Sequence, residues 1–229
     1  MNTELDFVLQ QHQKNFHPLI EMKEGDDIIP FDFTAVNEDI TIDLISDTEL
    51  FSEWVDKKLS SAKARFGIGG YNENRTLYKR SKLFSGREER SVHIGLDIWG
   101  AAGTEVFAPL GGMVHSFAFN DNFGDYGATI ILQHQLDTVS FYTLFGHLAL
   151  ADLSDLRKGK FVTRGELIGH FGKPQENGNW PPHLHLQVIA DIAYYEGDYP
   201  GVCTLSEAPK YLANTADPAL LLNLSAPKI

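Results

Sequence analysis

The sequence predicts a mainly β protein: an antiparallel sheet preceded by an α-containing N-terminal extension. Three observations predict it. From 92 to 190 the chain is a series of short β-prone runs cut by turn residues. Residues 48–65 instead carry apolar side chains at helical spacing. Charge divides along the same line. Residues 1–56 hold 14 acidic and 2 basic side chains and so account for the whole net charge of −12.

The 229 residues suffice for one large or two small domains. A boundary is expected near residue 68, giving an acidic, partly helical extension (1–68) and a β-rich domain (69–229). Residues 2–15 read as a short helix with Leu5, Val8 and Leu9 on one face. Residues 16–47 show little periodicity, and the run Ile28-Ile29-Pro30-Phe31 reads as extended. In 48–65, Thr48 is the expected cap, and Leu50, Phe51, Trp54, Val55 and Leu59 form the stripe. Gly67, Gly69 and Gly70 are the expected stop. Residues 57–90 reverse the charge, with 10 basic and 3 acidic side chains. The acidic extension is therefore expected to pack on this segment, the alternative being two separately solvated surfaces.

Strands are expected at 92–98, 105–108, 112–119, 127–135, 138–146, 160–163, 166–171 and 184–190. A brief helix is expected at 149–157. Residues 172–182 form a long loop of the kind that often flanks a functional site.

A hydrophobic fraction of 43% and an aromatic fraction of 11% are those of a globular protein with a core. No run is apolar for long enough to span a membrane as a helix. An acidic chain without a basic stripe is a poor nucleic-acid partner. The N-terminus lacks a basic stretch followed by an apolar one, so a cytoplasmic location is expected; a missing leader would make it periplasmic or extracellular. Cys203 is the single cysteine, which excludes an intramolecular disulfide and a thiolate zinc cluster and reads as a small apolar filler.

The chemistry centres on His183-Leu184-His185. Histidines at i and i+2 of a strand project from one face, with Cβ atoms roughly 6–7 Å apart. They can converge on one ion, or they can be two partly buried strand histidines. His93 and Asp97 are competent zinc ligands. A straight strand would hold them about 13 Å apart, and Gly95 between them allows the bend that closes the gap. His147 follows Gly146 at a strand end, placed to enter a cleft. A zinc hydrolase needs three protein ligands and an open position, with further groups to move protons and stabilise the oxyanion. The five residues His93, Asp97, His147, His183 and His185 fill those places, and spacing alone does not divide the roles. His12, His17, His115, His134 and His170 read as structural. Asp125 and Asn177 are candidates to line the groove, and Asp191 to accept from a ligating histidine.

The segment from Tyr71 to about Leu222 resembles the lysostaphin-type zinc metallopeptidase domain, LytM-like and also called the duplicated hybrid motif. The matching residues are His93-x-x-x-Asp97 with Gly95 and Ile98, then Gly103-Thr104-Glu105-Val106-Phe107-Ala108-Pro109 and Gly112-x-Val114. Tyr142-Thr143-x-x-Gly146-His147-Leu148, the stretch from Gly159 to Gly172, and His183-Leu184-His185 follow. The resemblance implies an antiparallel β-sheet or sandwich with its site in a groove. It implies one zinc ion per chain on His93, Asp97 and His185, with His147 and His183 catalytic. It also implies hydrolysis of peptide bonds, in peptidoglycan cross-bridges or related peptides.

Asp125-Tyr126-Gly127, Phe141 to His147, Glu176 to His183 and Gly197-Asp198-Tyr199-Pro200-Gly201 are similar to a subgroup fused to kinase-like and class III aminotransferase-like domains. The Glu176–Pro182 loop departs from typical wall hydrolases and bears on the substrate. Two alternatives follow from the resemblance: a non-hydrolytic metal-binding or scaffold domain, and a small-amide hydrolase tied to amino-acid or amino-alcohol metabolism. The sequence sets no oligomeric state.

Overall fold

The computed structural model describes residues 3–222. The chain opens with helix α1 (Thr3–His12), strand β1 (Ile28–Phe31), helices α2 (Ile42–Ser46) and α3 (Thr48–Ala62), and strands β2 (Phe66–Gly69) and β3 (Glu73–Asn74). Strands β4 (Val92–His93), β5 (Leu96–Trp99), β6 (Glu105–Phe107), β7 (Gly112–Asn120), β8 (Gly127–Leu136) and β9 (Val139–Leu148) follow. Next come β10 (Phe161–Val162), β11 (Leu167–His170), β12 (His183–Ile189), β13 (Val202–Cys203), helix α4 (Ala208–Asn214) and β14 (Thr215–Ala216).

One sheet dominates, with the order β1-β2-β5-β12-β9-β8-β7-β10 and β14 added to the end of β12. Its pairings are antiparallel except β1 with β2, which is parallel. The fold is therefore mainly antiparallel β, as expected. Strand β12 lies between β5 and β9, and all seven of its residues are buried. Leu184, Leu186 and Val188 point into the main core from one face, which leaves His183, His185 and Gln187 together on the other. The single expected strand over 92–98 is two, β4 and β5, interrupted at Ile94-Gly95.

The acidic extension is built into this sheet. It supplies β1, and the expected boundary at 68 falls inside β2, which pairs with β5. Its apolar residues feed two clusters. Leu5, Leu9, Phe16, Leu19 and Ile20 join the main core. Phe31, Phe33, Phe51, Val55 and Leu59 form a second cluster with Trp99 of β5. Charge pairing joins the same segments: Asp26 to Arg65 at 2.6 Å and Asp39 to Lys58 at 2.7 Å. The Asp39–Lys58 pair is exposed and contributes little, so the aromatic contacts carry the attachment.

The structure corrects three local expectations. The cap of α3 is Asp47, whose carboxylate accepts from the amides of Glu49 and Leu50, while the Thr48 hydroxyl donates to Asn179 O at 3.0 Å. A carboxylate one residue upstream answers the helix's first free amides better than a hydroxyl inside it. The helix ends at Lys63 in the left-handed region (φ 54°), not at the glycines. Gly67 and Gly69 lie in β2, where the ring of Phe31 and the guanidinium of Arg75 occupy the space a Cβ would take. Leu50 faces solvent, so the buried stripe of α3 is Phe51, Val55 and Leu59.

Phe33 is fully buried and packs against Phe31, Phe51, Trp54 and Trp99 with ring centroids 5.2–6.1 Å apart. Phe33→Ala is expected to lower stability by about 3–5 kcal/mol, read from urea unfolding. Leu50→Ala on the exposed face of α3 should stay within about 0.5 kcal/mol.

Candidate metal centre

Register brings the site together. In the sheet, His185 pairs with Asp97 of β5 on one side and Gly146 of β9 on the other. His93 reaches the same point because the chain breaks between β4 and β5. Gly95 sits at that break, and a Cβ there would lie 2.4 Å from the His185 ring. The glycine is thus required by the close approach of an imidazole.

Three atoms converge. His93 Nε2 lies 3.0 Å from His185 Nδ1 and 3.3 Å from Asp97 Oδ1, and His185 Nδ1 lies 3.0 Å from the same carboxylate oxygen. Partners on the far side of each ring assign the protons. His93 Nδ1–H donates to Gly70 O at 2.9 Å, which leaves Nε2 as a lone pair. Gln187 Nε2 donates to Pro200 O at 3.1 Å, so its Oε1 is turned inward. That oxygen is 3.1 Å from His185 Nε2, which donates to it, and this leaves Nδ1 as a lone pair. Three acceptors then face one another with no proton among them. Such an arrangement is repulsive unless a cation lies between. Ligand atoms around a tetrahedral zinc ion, with bonds near 2.0–2.1 Å, are about 3.3–3.4 Å apart. The donor set therefore fits zinc in both chemistry and spacing, and these three residues could hold it.

Electrostatics keep the set ready. Burial, then the Arg75 guanidinium, hold His93 down to about 4, in the neutral form a ligand needs. Burial pushes the Asp97 carboxyl up, but the Arg75 guanidinium bonded to Oδ2 works against it and the group is held well below the usual carboxylate range. Arg75 is fully buried, and its guanidinium bonds Asp97 Oδ2, Glu73 Oε2 and Gly70 O. With Oδ2 committed to Arg75, Oδ1 is left for the centre.

Two further imidazoles face this centre. His183 stacks on Trp99, its cross-strand partner, with centroids 3.9 Å apart and planes 14° from parallel. Its Nδ1–H donates to Pro181 O at 2.8 Å. His147 donates from Nδ1 to Asn177 O at 2.8 Å. Each therefore presents a bare Nε2 to the cavity both rings line. The two rings are 4.2 Å apart. Burial holds both imidazoles low, His183 to about 4. His147 has φ 63°, a left-handed conformation rare for a side-chain-bearing residue. It is clamped there by its amide donating to Tyr126 O and its carbonyl accepting from Gly172 N, both at 2.8 Å.

All five sequence candidates thus meet at one place. Asp125 lines the cavity, and Asn177 is buried behind His147 as its acceptor. Asp191 instead caps a turn at Ala193 and pairs with Asn214. The other histidines bond locally: His12 to Asp137, His17 to Pro18, His115 to Ser116, His134 to Gly111 and Thr143, His170 to Asp152. Sequence reasoning missed Arg75, Tyr126, Gln187 and Trp99. Only Gln187 had a local signal, being the next residue on the His183–His185 face.

Comparison with known families places the chemistry. Residues 91–196 match the model described as Peptidase family M23. That stretch is similar to the M23 metallopeptidases. The chain is accordingly a hydrolase, and the zinc dependence of M23 peptidases agrees with the His-Asp-His donor set. A comparison with curated proteins finds no match. Among solved structures, the catalytic domain of the antimicrobial peptidase lysostaphin from Staphylococcus simulans is 19% identical, with 73% of this chain and 94% of that one covered and a TM-score of 0.42. A zinc-containing peptidase from Vibrio cholerae is 22% identical over 65% of this chain and 34% of that one, with a TM-score of 0.38. The SpoIIQ–SpoIIIAH pore-forming complex gives 16% identity, 73% and 87% coverage, and a TM-score of 0.41.

Gln187 orients the His185 ring of the candidate metal centre. Zinc affinity, measured by chelator competition, is expected to fall about 10–100-fold in Gln187→Leu and to be retained in Gln187→Glu, which keeps the acceptor. Arg75→Met should lower affinity too, since Asp97 loses the partner of its second oxygen.

Proposed function

We propose that the protein is a zinc-dependent metallopeptidase in which His93, Asp97 and His185 hold one zinc ion and His147 and His183 carry the proton chemistry. The single observation behind this reading is the meeting of three buried lone pairs at 3.0–3.3 Å. A zinc ion there supplies Lewis acidity, polarising a carbonyl and easing loss of a proton from water. The protein's own groups do the rest. His147 and His183 are neutral, and each has its tautomer fixed by a backbone carbonyl. Each can take a proton at Nε2 and return it to the departing amine, or donate from there to the developing oxyanion. The left-handed backbone of His147 and the Trp99 stack on His183 hold both rings in place.

The bond hydrolysed is a peptide bond, in peptidoglycan cross-bridges or related peptides. The M23 match of residues 91–196 supports the reaction class. The similarity of the Glu176–His183 and Gly197–Gly201 segments to the kinase- and aminotransferase-fused subgroup favours related peptides over the wall itself. A cytoplasmic location belongs with that reading.

Purified protein is expected to contain about one zinc per chain by elemental analysis. His185→Ala should lose the metal. His183→Ala should keep it and lose turnover by about 10²–10⁴-fold. Equal metal loss in both variants would overturn the division of roles.

A further inference from the structure

Two loops meet beside the centre, and each carries an Asp-Tyr pair. Asp125-Tyr126 precedes β8, and Asp198-Tyr199 precedes β13. The Tyr126 hydroxyl joins the loops, 3.1 Å from Tyr199 O and 2.9 Å from Gln187 Oε1. A Cβ on Gly201 would collide with that hydroxyl and lie 3.2 Å from His185 Nε2, so the second loop passes close against the His185 ring. Both loops are tied down. The Asp125 carboxylate accepts from the Tyr126 amide at 2.9 Å and from Asn122 Nδ2 at 3.0 Å, and Trp180 Nε1–H donates to Asp125 O at 3.2 Å. Gly197 N donates to the Ser116 hydroxyl at 2.8 Å, and Asn120 Nδ2 donates to Gly197 O at 2.9 Å.

Asp125 and Asp198 both line the cavity that His147 and His183 face. Those imidazoles are 5% and 3% exposed, and neither Nε2 has a partner among the described residues. They mark the cavity as a ligand site without reference to the carboxylates. Among the described residues neither Asp125 nor Asp198 forms an ion pair, and Asp198 accepts from no side chain. The arginines lining the same space are committed elsewhere. Arg75 bonds Asp97, Glu73 and Gly70 O. Arg90 donates to Leu83 O and lies over the Phe84 ring. The two carboxylates act on each other: after burial, Asp125 is what pushes the Asp198 carboxyl up. An arriving cation relieves that repulsion. Tyr126, Trp180 and Tyr199 line the cavity beside them, and the faces of such rings attract cations.

We propose that Asp125 and Asp198 form a subsite for a primary ammonium group, which selects substrates carrying an amine close to the bond that is cut. The ammonium belongs to a lysine-type side chain or to a free α-amino terminus. Its three N–H donors match the spare lone pairs of the carboxylates in either case. The proposal rests on the metallopeptidase reading above and specifies its substrate.

The test scans one lysine through the five positions of an alanine pentapeptide blocked by acetyl and amide groups, with norleucine scanned in parallel. Pentaalanine amide with a free amino terminus is compared with its acetylated form. Each is incubated with the zinc-loaded full chain and read by mass spectrometry. Lysine at one position should raise kcat/KM at least about 10-fold over norleucine, or the free terminus should do so over the acetylated one, as a charge-assisted hydrogen bond allows. The first result identifies a side-chain amine and the second a terminal one. Equal rates in both comparisons overturn the subsite. Asp198→Asn removes the charge, keeps the shape and should bring the preferred ratio close to one; this ratio does not depend on how much protein folds. Glu196→Gln removes an exposed carboxylate that pairs with Lys158 outside the cavity and should leave the ratio as it is. An equal loss in both variants makes the effect a diffuse field and overturns the subsite. A second readout does not depend on turnover. Trp180 lines the cavity, so the fluorescence of the metal-free protein is titrated with the same amine and amine-free peptides. Tighter binding of the amine peptide, lost in Asp198→Asn, supports the subsite, and no difference between the peptides overturns it. Zinc binding without hydrolysis of any peptide would sink the metallopeptidase reading and leave the titration to decide the subsite.

Discussion

Three buried acceptor atoms brought within 3.0–3.3 Å of one another are the constraint around which this structure is arranged. Like partial charges at that range repel, and burial removes the water that would screen them. The surrounding residues act to hold the arrangement in place. Gly70 O takes the proton side of His93 and also accepts from Arg75. Arg75 engages the spare oxygen of Asp97. Gln187, itself oriented by Pro200 O and the Tyr126 hydroxyl, turns His185. Each contact fixes a tautomer or an oxygen, and together they leave one cluster of lone pairs pointing at one spot.

The acidic extension belongs to this arrangement. Its Phe31, Phe33 and Phe51 pack on Trp99, and the same indole is the platform for His183. Through Arg80 and Thr48 it also fastens the segment beside Asn179, two residues from the carbonyl that orients His147. The residues lining the cavity run from Arg75 to Val202, so the extension supports the centre from behind. Its negative charge is incidental to that role; burial of aromatic area does the work.

Much of this was legible in the sequence. Strand alternation put His183 and His185 on one face, and turn residues marked the strands between 92 and 190 to within one or two positions apart from the break at Ile94-Gly95, whereas β2 and β14 were not read as strands. The five polar candidates were all found, because metal-competent side chains are few and their types are informative. Less legible was whatever depends on non-local contact. Arg75 lies 22 residues from Asp97, in a segment that read only as basic. Tyr126 and Trp99 gain their roles from cross-strand register, which no local pattern encodes. The extension was expected to pack through its charge, whereas its attachment follows strand pairing and apolar residues. Thr48 was expected as a cap because hydroxyls often serve there, and the carboxylate of Asp47 competed better.

The position of β12 has a consequence for how the molecule comes into being. This strand sits at the middle of the sheet yet arrives late in the chain, between β5 and β9 that precede it by tens of residues. During synthesis His93 and Asp97 are made long before His185, separated from it by 92 and 88 residues. Until β12 inserts, β5 and β9 have no bridge between them and the donor set is incomplete. Contacts of such long sequence separation form slowly, since the loop entropy must be met before they stabilise anything. Closing the sheet and completing the centre are therefore one event, and a half-made chain has nowhere to bind the ion.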